Sequence, residues 1–233
     1  MSKKDYYIIE KNISRILRGE ETNFLDQGTY KKVISKLKNT KYQTYYPYPE
    51  SEKVIIYTKK IPNIKLLEII SYNPLTHREI MGSLFGLNID SELFGDIIIT
   101  NNRYYIMVIE SIYDLLLNEY KMIGRNPIEL KEIPLDTLKD YQRKYEEIEL
   151  ITSSLRIDNV ISKLIGKSRE EIRMKFLNDE IIINYEVCHR INYTLKENDI
   201  FSIRKYGKYK YIGIINKTKK DNYIIHINKY IDN

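Results

Sequence analysis

Leu155-Arg156-Ile157-Asp158-Asn159-Val160-Ile161-Ser162-Lys163-Leu164-Ile165-Gly166-Lys167-Ser168-Arg169-Glu170-Glu171-Ile172-Arg173 is the stretch from which the C-terminal third of the chain can be read. Ile157, Val160, Ile161, Leu164 and Ile165 recur at helical spacing, which predicts a helix with one buried apolar stripe, ended by Gly166. Arg156, Asn159, Lys163 and Lys167 are expected on its opposite side. Ser168 followed three residues later by Glu171 has the form of a capping box and opens a second helix with Ile172 and Phe176 as its core. Arg169 and Arg173, four apart, then point the same way. Short strands follow at 181–183, 200–204, 209–215 and 223–227.

One of these strands carries the run Arg204-Lys205-Tyr206-Gly207-Lys208-Tyr209-Lys210-Tyr211. Long cationic side chains neutralise phosphates and tyrosine rings stack on bases, so the alternation suits a nucleic-acid surface; an exposed Lys/Tyr-rich hairpin would look the same. The charge distribution adds weight. Residues 154–233 hold 16 Lys/Arg against 10 Asp/Glu, whereas residues 1–153 hold 22 of each. The whole excess of +6 sits in the last third, as expected for a polyanion partner recognised from that end.

Upstream, residues 65–133 give the order β-α-β-β-α-β. Lys65 to Ser71 reads as a strand, and Thr76-His77-Arg78-Glu79 as a second capping box, with Ile80, Met81, Leu84 and Phe85 inward. Two strands, 96–100 and 104–109, flank the turn Asn101-Asn102; a helix over 112–123 is stopped by Gly124, and 127–133 is the last strand. That order is the one of ferredoxin-like folds, RNA-recognition motifs among them. Gly82 and Gly86, four apart on the first helix, suggest close packing. In residues 5–62, Tyr7, Ile8, Ile13, Ile16 and Leu17 form one helical stripe and Tyr30, Val33, Ile34 and Leu37 another; 42–48 reads as a loop and 54–57 as a strand.

Several function classes are excluded. With one cysteine, Cys188, there is no intrachain disulfide, and three scattered histidines offer no metal spacing. Adjacent Cys188 and His189 on a strand would point to opposite faces, which argues against a nucleophile–base pair. No phosphate-binding or dinucleotide glycine fingerprint occurs. No window approaches the ~20 apolar residues of a membrane span, and the first residues lack a signal-peptide pattern, so a soluble, cytoplasmic chain without membrane contact is expected.

The residues also carry a resemblance. Arg156-x-Asp158, Lys163, Ser168-Arg169, Ile181-x-Ile183-Asn184 and Asp199-Ile200-x-Ser202-Ile203-Arg204, with Tyr206-Gly207-Lys208-Tyr209, are similar to an S4 domain, a small RNA-binding fold. Leu67-Glu68-Ile69, Thr76 to Gly82, Gly95-Asp96-Ile97 and Ile123-Gly124-Arg125 resemble the middle domain of the bacterial YlmH family. Phe24-Leu25-Asp26 and Tyr48 to Lys53 resemble its N-terminal domain, and Thr218-Lys219-Lys220 its final hairpin. The chain departs from the family at Tyr46-Pro47 and Tyr185, where glycines are usual, at Asp90-Ser91, where a basic pair is usual, and at Asp179-Glu180, usually Gly-Lys.

The resemblance implies an α+β protein with a small N-terminal α/β domain (1–63), a ferredoxin-like, RRM-like middle domain (64–135), a connecting segment (136–153) and a C-terminal S4 (αL-type) domain with a β extension (154–233). It implies a non-enzymatic, cofactor-free factor, monomeric off the ribosome, that binds rRNA of the large ribosomal subunit and engages peptidyl-tRNA and partner factors in ribosome-associated quality control. The expected RNA contacts are Arg156, Lys163, Lys167, Ser168, Arg169, Arg173, Arg204, Lys205, Tyr206, Lys208 and Lys210, with His77 and Arg78 as secondary contacts. Asp158 is expected to orient Arg156. Two other classes stay open: an S4-guided RNA-modifying enzyme such as a pseudouridine synthase, although its Gly-Arg-Leu-Asp context is missing, and a protein-interaction adaptor.

Overall fold

A computed structural model describes residues 3–231, which form two compact units that part between Gln142 and Arg143. Both mix α-helices with antiparallel sheets. Among the described residues, no helix is long and apolar enough to cross a membrane.

The first unit begins with α1 (Lys3–Leu17) and α2 (Gln27–Lys36), followed by β1 (Gln43–Tyr45) and β2 (Ile55–Tyr57). The buried stripe of α1 is Ile9, Asn12 and Ile16; Tyr7 and Leu17, expected inward, are mostly exposed. Asp26 caps α2 by accepting a hydrogen bond from the Thr29 amide at 2.8 Å. The expected loop at 42–48 is partly a strand, because Gln43 to Tyr45 pairs antiparallel with Tyr57 to Ile55.

A five-stranded sheet follows, built from β3 (Ile64–Ser71), α3 (His77–Gly86), β4 (Phe94–Thr100), β5 (Arg103–Ile109), α4 (Tyr113–Glu119), β6 (Met122–Ile123) and β7 (Asn126–Ile133). Its order is β4-β5-β3-β7-β6, with every neighbouring pair antiparallel. Asn101 and Asn102 make the β4–β5 turn with φ of 49° and 59°, a left-handed geometry that asparagine tolerates. The expected helix over 112–123 is shorter. Tyr120 leaves it to bury its ring, its hydroxyl 2.6 Å from that of Ser83, and Gly124, with φ of 59°, turns a small hairpin instead of capping a helix.

Strand alternation gives this sheet two buried faces. Leu67, Ile69, Tyr104, Ile106 and Val108 pack on α3, on α4 and on the 3-10 turn before α4 through Ile80, Leu84, Leu116 and Ile112. Leu66, Ile98, Tyr105 and Met107 on the other face pack against Phe24, Tyr48, Ile55 and Leu138. Gly95 allows this contact, since a Cβ there would lie 2.9 Å from the Phe24 ring and 3.1 Å from Met107 Cβ. Asp96 accepts hydrogen bonds from the Tyr48 hydroxyl and the Glu52 amide, both at 2.7 Å. Segments 1–63 and 64–135 therefore share an apolar core, beside one that each keeps to itself (Ile9, Ile16, Val33 and Ile56 in the first), and the connection after Ile133 joins the shared one through Leu138 and Tyr141, whose ring meets Tyr48 edge-on at 5.5 Å.

The second unit starts within the expected connecting segment. β8 (Tyr145–Thr152) precedes α5 (Ile157–Ile165), α6 (Arg169–Leu177), β9 (Ile181–Ile183), β10 (Glu186–Val187), β11 (Ile200–Ile203), β12 (Gly207–Lys217) and β13 (Tyr223–Tyr230). The sheet order is β10-β9-β11-β12-β13-β8. β8 is an edge strand, pairing only with β13, and Glu146, Glu147 and Glu149 give it the charged character that discourages further pairing. α5 and α6 cover one sheet face through Ile157, Val160, Ile161, Ile172 and Phe176 against Phe201, Ile203, Tyr209, Tyr211, Ile225 and Ile227.

Candidate nucleic-acid interface

Local sequence sets the two helices that carry most of the expected contacts. Gly166, at φ 64°, closes α5, and α6 starts at Ser168 with both halves of the predicted capping box formed. The Ser168 hydroxyl accepts from the Glu171 amide at 3.2 Å and donates to the Glu171 carboxylate at 2.9 Å. Its hydrogen-bonding capacity is thus largely used within the cap, which makes Ser168 a structural residue. The Ser168 amide and then the Lys167 ammonium hold the Glu171 carboxyl down at about 2.

The basic residues separate into free and engaged groups. Arg156 lies over Asp158, donating from Nε to Oδ1 at 3.1 Å and from Nη2 to Oδ2 at 2.9 Å, the expected orienting pair. Lys167 pairs with Glu171 at 3.1 Å, a bond that raises its pKa. Asn159 is not on the outer side. It is buried, with its side-chain amide donating to the hydroxyls of Thr152, Ser153 and Ser154 at 2.9–3.2 Å, because the chain entering α5 folds over that face. Lys163, Arg169 and Arg173 are exposed and have no hydrogen-bond or ion-pair partner among the described residues. Asp179 meets His189 at 3.5 Å instead of pairing with either arginine.

The turn between β11 and β12 forms a second group. Arg204 and Lys205 are exposed there, and the Arg204 amide donates to the Glu180 carbonyl at 3.0 Å. Lys175 bonds Glu180 at 2.7 Å and stands 5.1 Å from the centre of the Tyr206 ring. The Lys175 bond, then the charges of Lys175, Arg204 and Lys205, lower the Glu180 carboxyl's pKa. Sequence reasoning does not single out Lys175; its spacing from Glu180 is the signal that could have found it. At 100° per residue, Arg173 and Lys175 lie roughly 160° apart around α6, so the free arginines and the turn cluster flank the helix on different sides.

Lys208 and Lys210 belong to neither group. Tyr209 and Tyr211 face the helices, so strand alternation sends these two lysines to the opposite sheet face. There Lys208 stands 5.0 Å from the Tyr185 ring and 4.7 Å from the Tyr230 ring. The single continuous cationic flank expected from sequence is therefore divided among three surfaces. Asp179 and Tyr185, which replace glycines usual in the resembled family, sit at φ of 56° and 72°, the left-handed geometry that favours glycine. In the first unit, His77 opens α3 and Arg78 is exposed without a partner among the described residues. Gly82 and Gly86 face open space, so the packing expected of them is not made within the chain.

Part of the first unit resembles a known domain. Residues 62–137 match a family model described as "Putative RNA-binding domain in YlmH". The ribosome-associated protein quality control protein P2 of Bacillus subtilis is 26% identical over 185 residues, 76% of this chain and 72% of that protein. Over the matched domain this chain is similar to the YlmH family. A solved structure of the cell division protein YlmH from Streptococcus pneumoniae superposes with a TM-score of 0.50 at 24% identity, over 60% of this chain and 97% of that one, and shows the fold alone. The segments Tyr48 to Lys53 and Gly95-Asp96 meet in this protein through the Asp96 hydrogen bonds and through Lys53, which donates to the carbonyls of Ser91 and Phe94 at 2.6 and 2.8 Å. Cys188 and His189 form no pair: the thiol turns to the Arg190 carbonyl and His189 to Asp179.

Proposed function

We propose that this protein is a non-enzymatic RNA-binding factor that docks on rRNA of the large ribosomal subunit through an S4-type second unit and an RRM-like first unit, in ribosome-associated quality control. Peptidyl-tRNA on an obstructed subunit and the factors that extend its nascent chain are the further partners. The observation that carries the reading is the pair Arg169 and Arg173, free and about one turn apart on a helix fixed by its own cap. Planar guanidiniums spaced this way suit bidentate phosphate contacts. Lys163, Arg204 and Lys205 add free or exposed charge in the same unit. The name of the Bacillus subtilis relative and the family's RNA-binding description support the ribosomal and RNA parts.

Co-sedimentation with purified large subunits over a salt series tests it. The protein should travel with the subunits at low salt and be released steeply as salt rises, since binding by phosphate neutralisation depends on counterion release. Failure to sediment at any salt, or an altered nucleotide found by mass spectrometry of the rRNA or tRNA after incubation, would overturn the assignment.

A further inference from the structure

In sheets with the strand order of the first unit, the face opposite the helices is where RNA-recognition modules stack bases on aromatic side chains. Here that face is closed by the chain itself, with Phe24, Tyr48, Ile55 and Leu138 no more than 3% exposed over Leu66 and Met107. RNA reaching this unit has to find another surface. The loop between β3 and α3 and the β6–β7 turn beside it offer one.

Tyr72 is 99% exposed in that loop. Its surroundings are fixed: the Ser71 hydroxyl donates to the Asn73 carbonyl at 2.9 Å, and buried Leu75 donates its amide to the Tyr104 hydroxyl at 3.0 Å. The Asn73 side chain donates to that of Asn126 at 2.9 Å, which ties the loop to the turn at Gly124-Arg125. Arg78, in the first turn of α3, and Arg125 are exposed, and neither has a partner among the described residues. Of the nearby acids, Glu79 is engaged by the Thr76 amide and hydroxyl at 2.8 and 2.7 Å, while Glu129 is exposed across the strand from Ile70.

We propose that Tyr72, Arg78 and Arg125 form a binding site for a nucleotide of single-stranded RNA, the ring stacking on a base and the two guanidiniums holding adjacent phosphates. The proposal rests on the RNA-binding reading above and locates where the first unit makes its contact. A fully exposed ring has its faces open to a base, and the unpaired arginines at the start of α3 and in the adjoining turn match a polyanion.

The test is fluorescence anisotropy of a labelled 12-nucleotide oligouridylate with the intact chain, repeated in the R169A/R173A background so that the second unit contributes less. Y72A is expected to weaken binding by about tenfold or more, in line with removal of one base–aromatic stack, and Y72F to retain it. R78A with R125A should lower the salt slope by about 1.4, about 0.7 for each phosphate released from a single strand. Tyr72 is solvent-exposed, so an unchanged unfolding midpoint for Y72A is expected and would confirm that folding is not the cause. Y72A binding within twofold of the native protein in both backgrounds overturns this site while leaving the RNA reading standing. A native chain that binds neither the oligonucleotide nor large subunits overturns both.

Discussion

Replacing Arg169 and Arg173 together by alanine is the most direct probe of the second unit. Both side chains are exposed and without partners among the described residues, so their removal breaks no internal bond and the Ser168–Glu171 cap is untouched. Each phosphate that is no longer neutralised lowers the slope of log K against log salt by about 0.9 on a double helix or about 0.7 on a single strand. Two such phosphates lower it by about 1.4–1.8, which at 0.1 M salt corresponds to roughly 25- to 60-fold weaker binding. The assay is large-subunit co-sedimentation from ~50 to ~300 mM salt, a range over which phosphate-driven binding changes steeply, beside a urea titration showing the same midpoint as the native protein. K59A with K60A, exposed lysines in the first unit, removes the same charge elsewhere and should change affinity far less. A folded R169A/R173A variant with native affinity and native slope would refute the assignment of α6 to the RNA surface.

Three further outcomes follow from the packing. S168A should reduce stability by about 1 kcal/mol, measured by urea unfolding, with subunit affinity little changed, because the hydroxyl serves the helix cap. G95A should cost about 1–3 kcal/mol, since its Cβ would stand 2.9 Å from the Phe24 ring; an unchanged thermal midpoint would refute the shared core of residues 1–63 and 64–135. Lys53 is pushed from 10.5 down to about 8 by burial, partly offset by the charge of Asp96. A lysine with a lower pKa folded than unfolded binds fewer protons when folded, so stability should climb as pH rises from about 8 towards 10.5, by up to about 3 kcal/mol. The climb should be visible before the tyrosines titrate, and K53M should flatten it in pH-dependent urea unfolding.

The features legible in the sequence are those whose partners are close along the chain. The capping boxes at Thr76 and Ser168 link residues three apart, and the Asn101-Asn102 turn links adjacent ones. The pairing of Lys167 with Glu171, four apart, is equally local and removes Lys167 from the free cations. β8 escapes a reading by pattern because its alternation is short, with only Ile148 and Leu150 as inward apolar residues among three glutamates. Tyr72 escapes because nothing in its neighbours announces that a loop residue will stand fully exposed.

By itself the sequence determined the helices with their caps, the order of elements in both sheets' central parts and the placement of the positive excess in the last third, since each depends on composition or on contacts within a turn or two. Apart from the local Arg156–Asp158 and Lys167–Glu171 pairs, tertiary structure decided which cations are free and where they point. Lys175 is drawn to Glu180 and Tyr206 by the approach of β11–β12 to α6, Lys208 and Lys210 are sent to the far sheet face by strand phase, and the first unit's second sheet face is closed by Phe24, Tyr48 and Leu138. The Lys175–Tyr206 contact and the closed sheet face depend on residues tens of positions apart meeting, and side-chain pattern along the chain carries no record of such meetings.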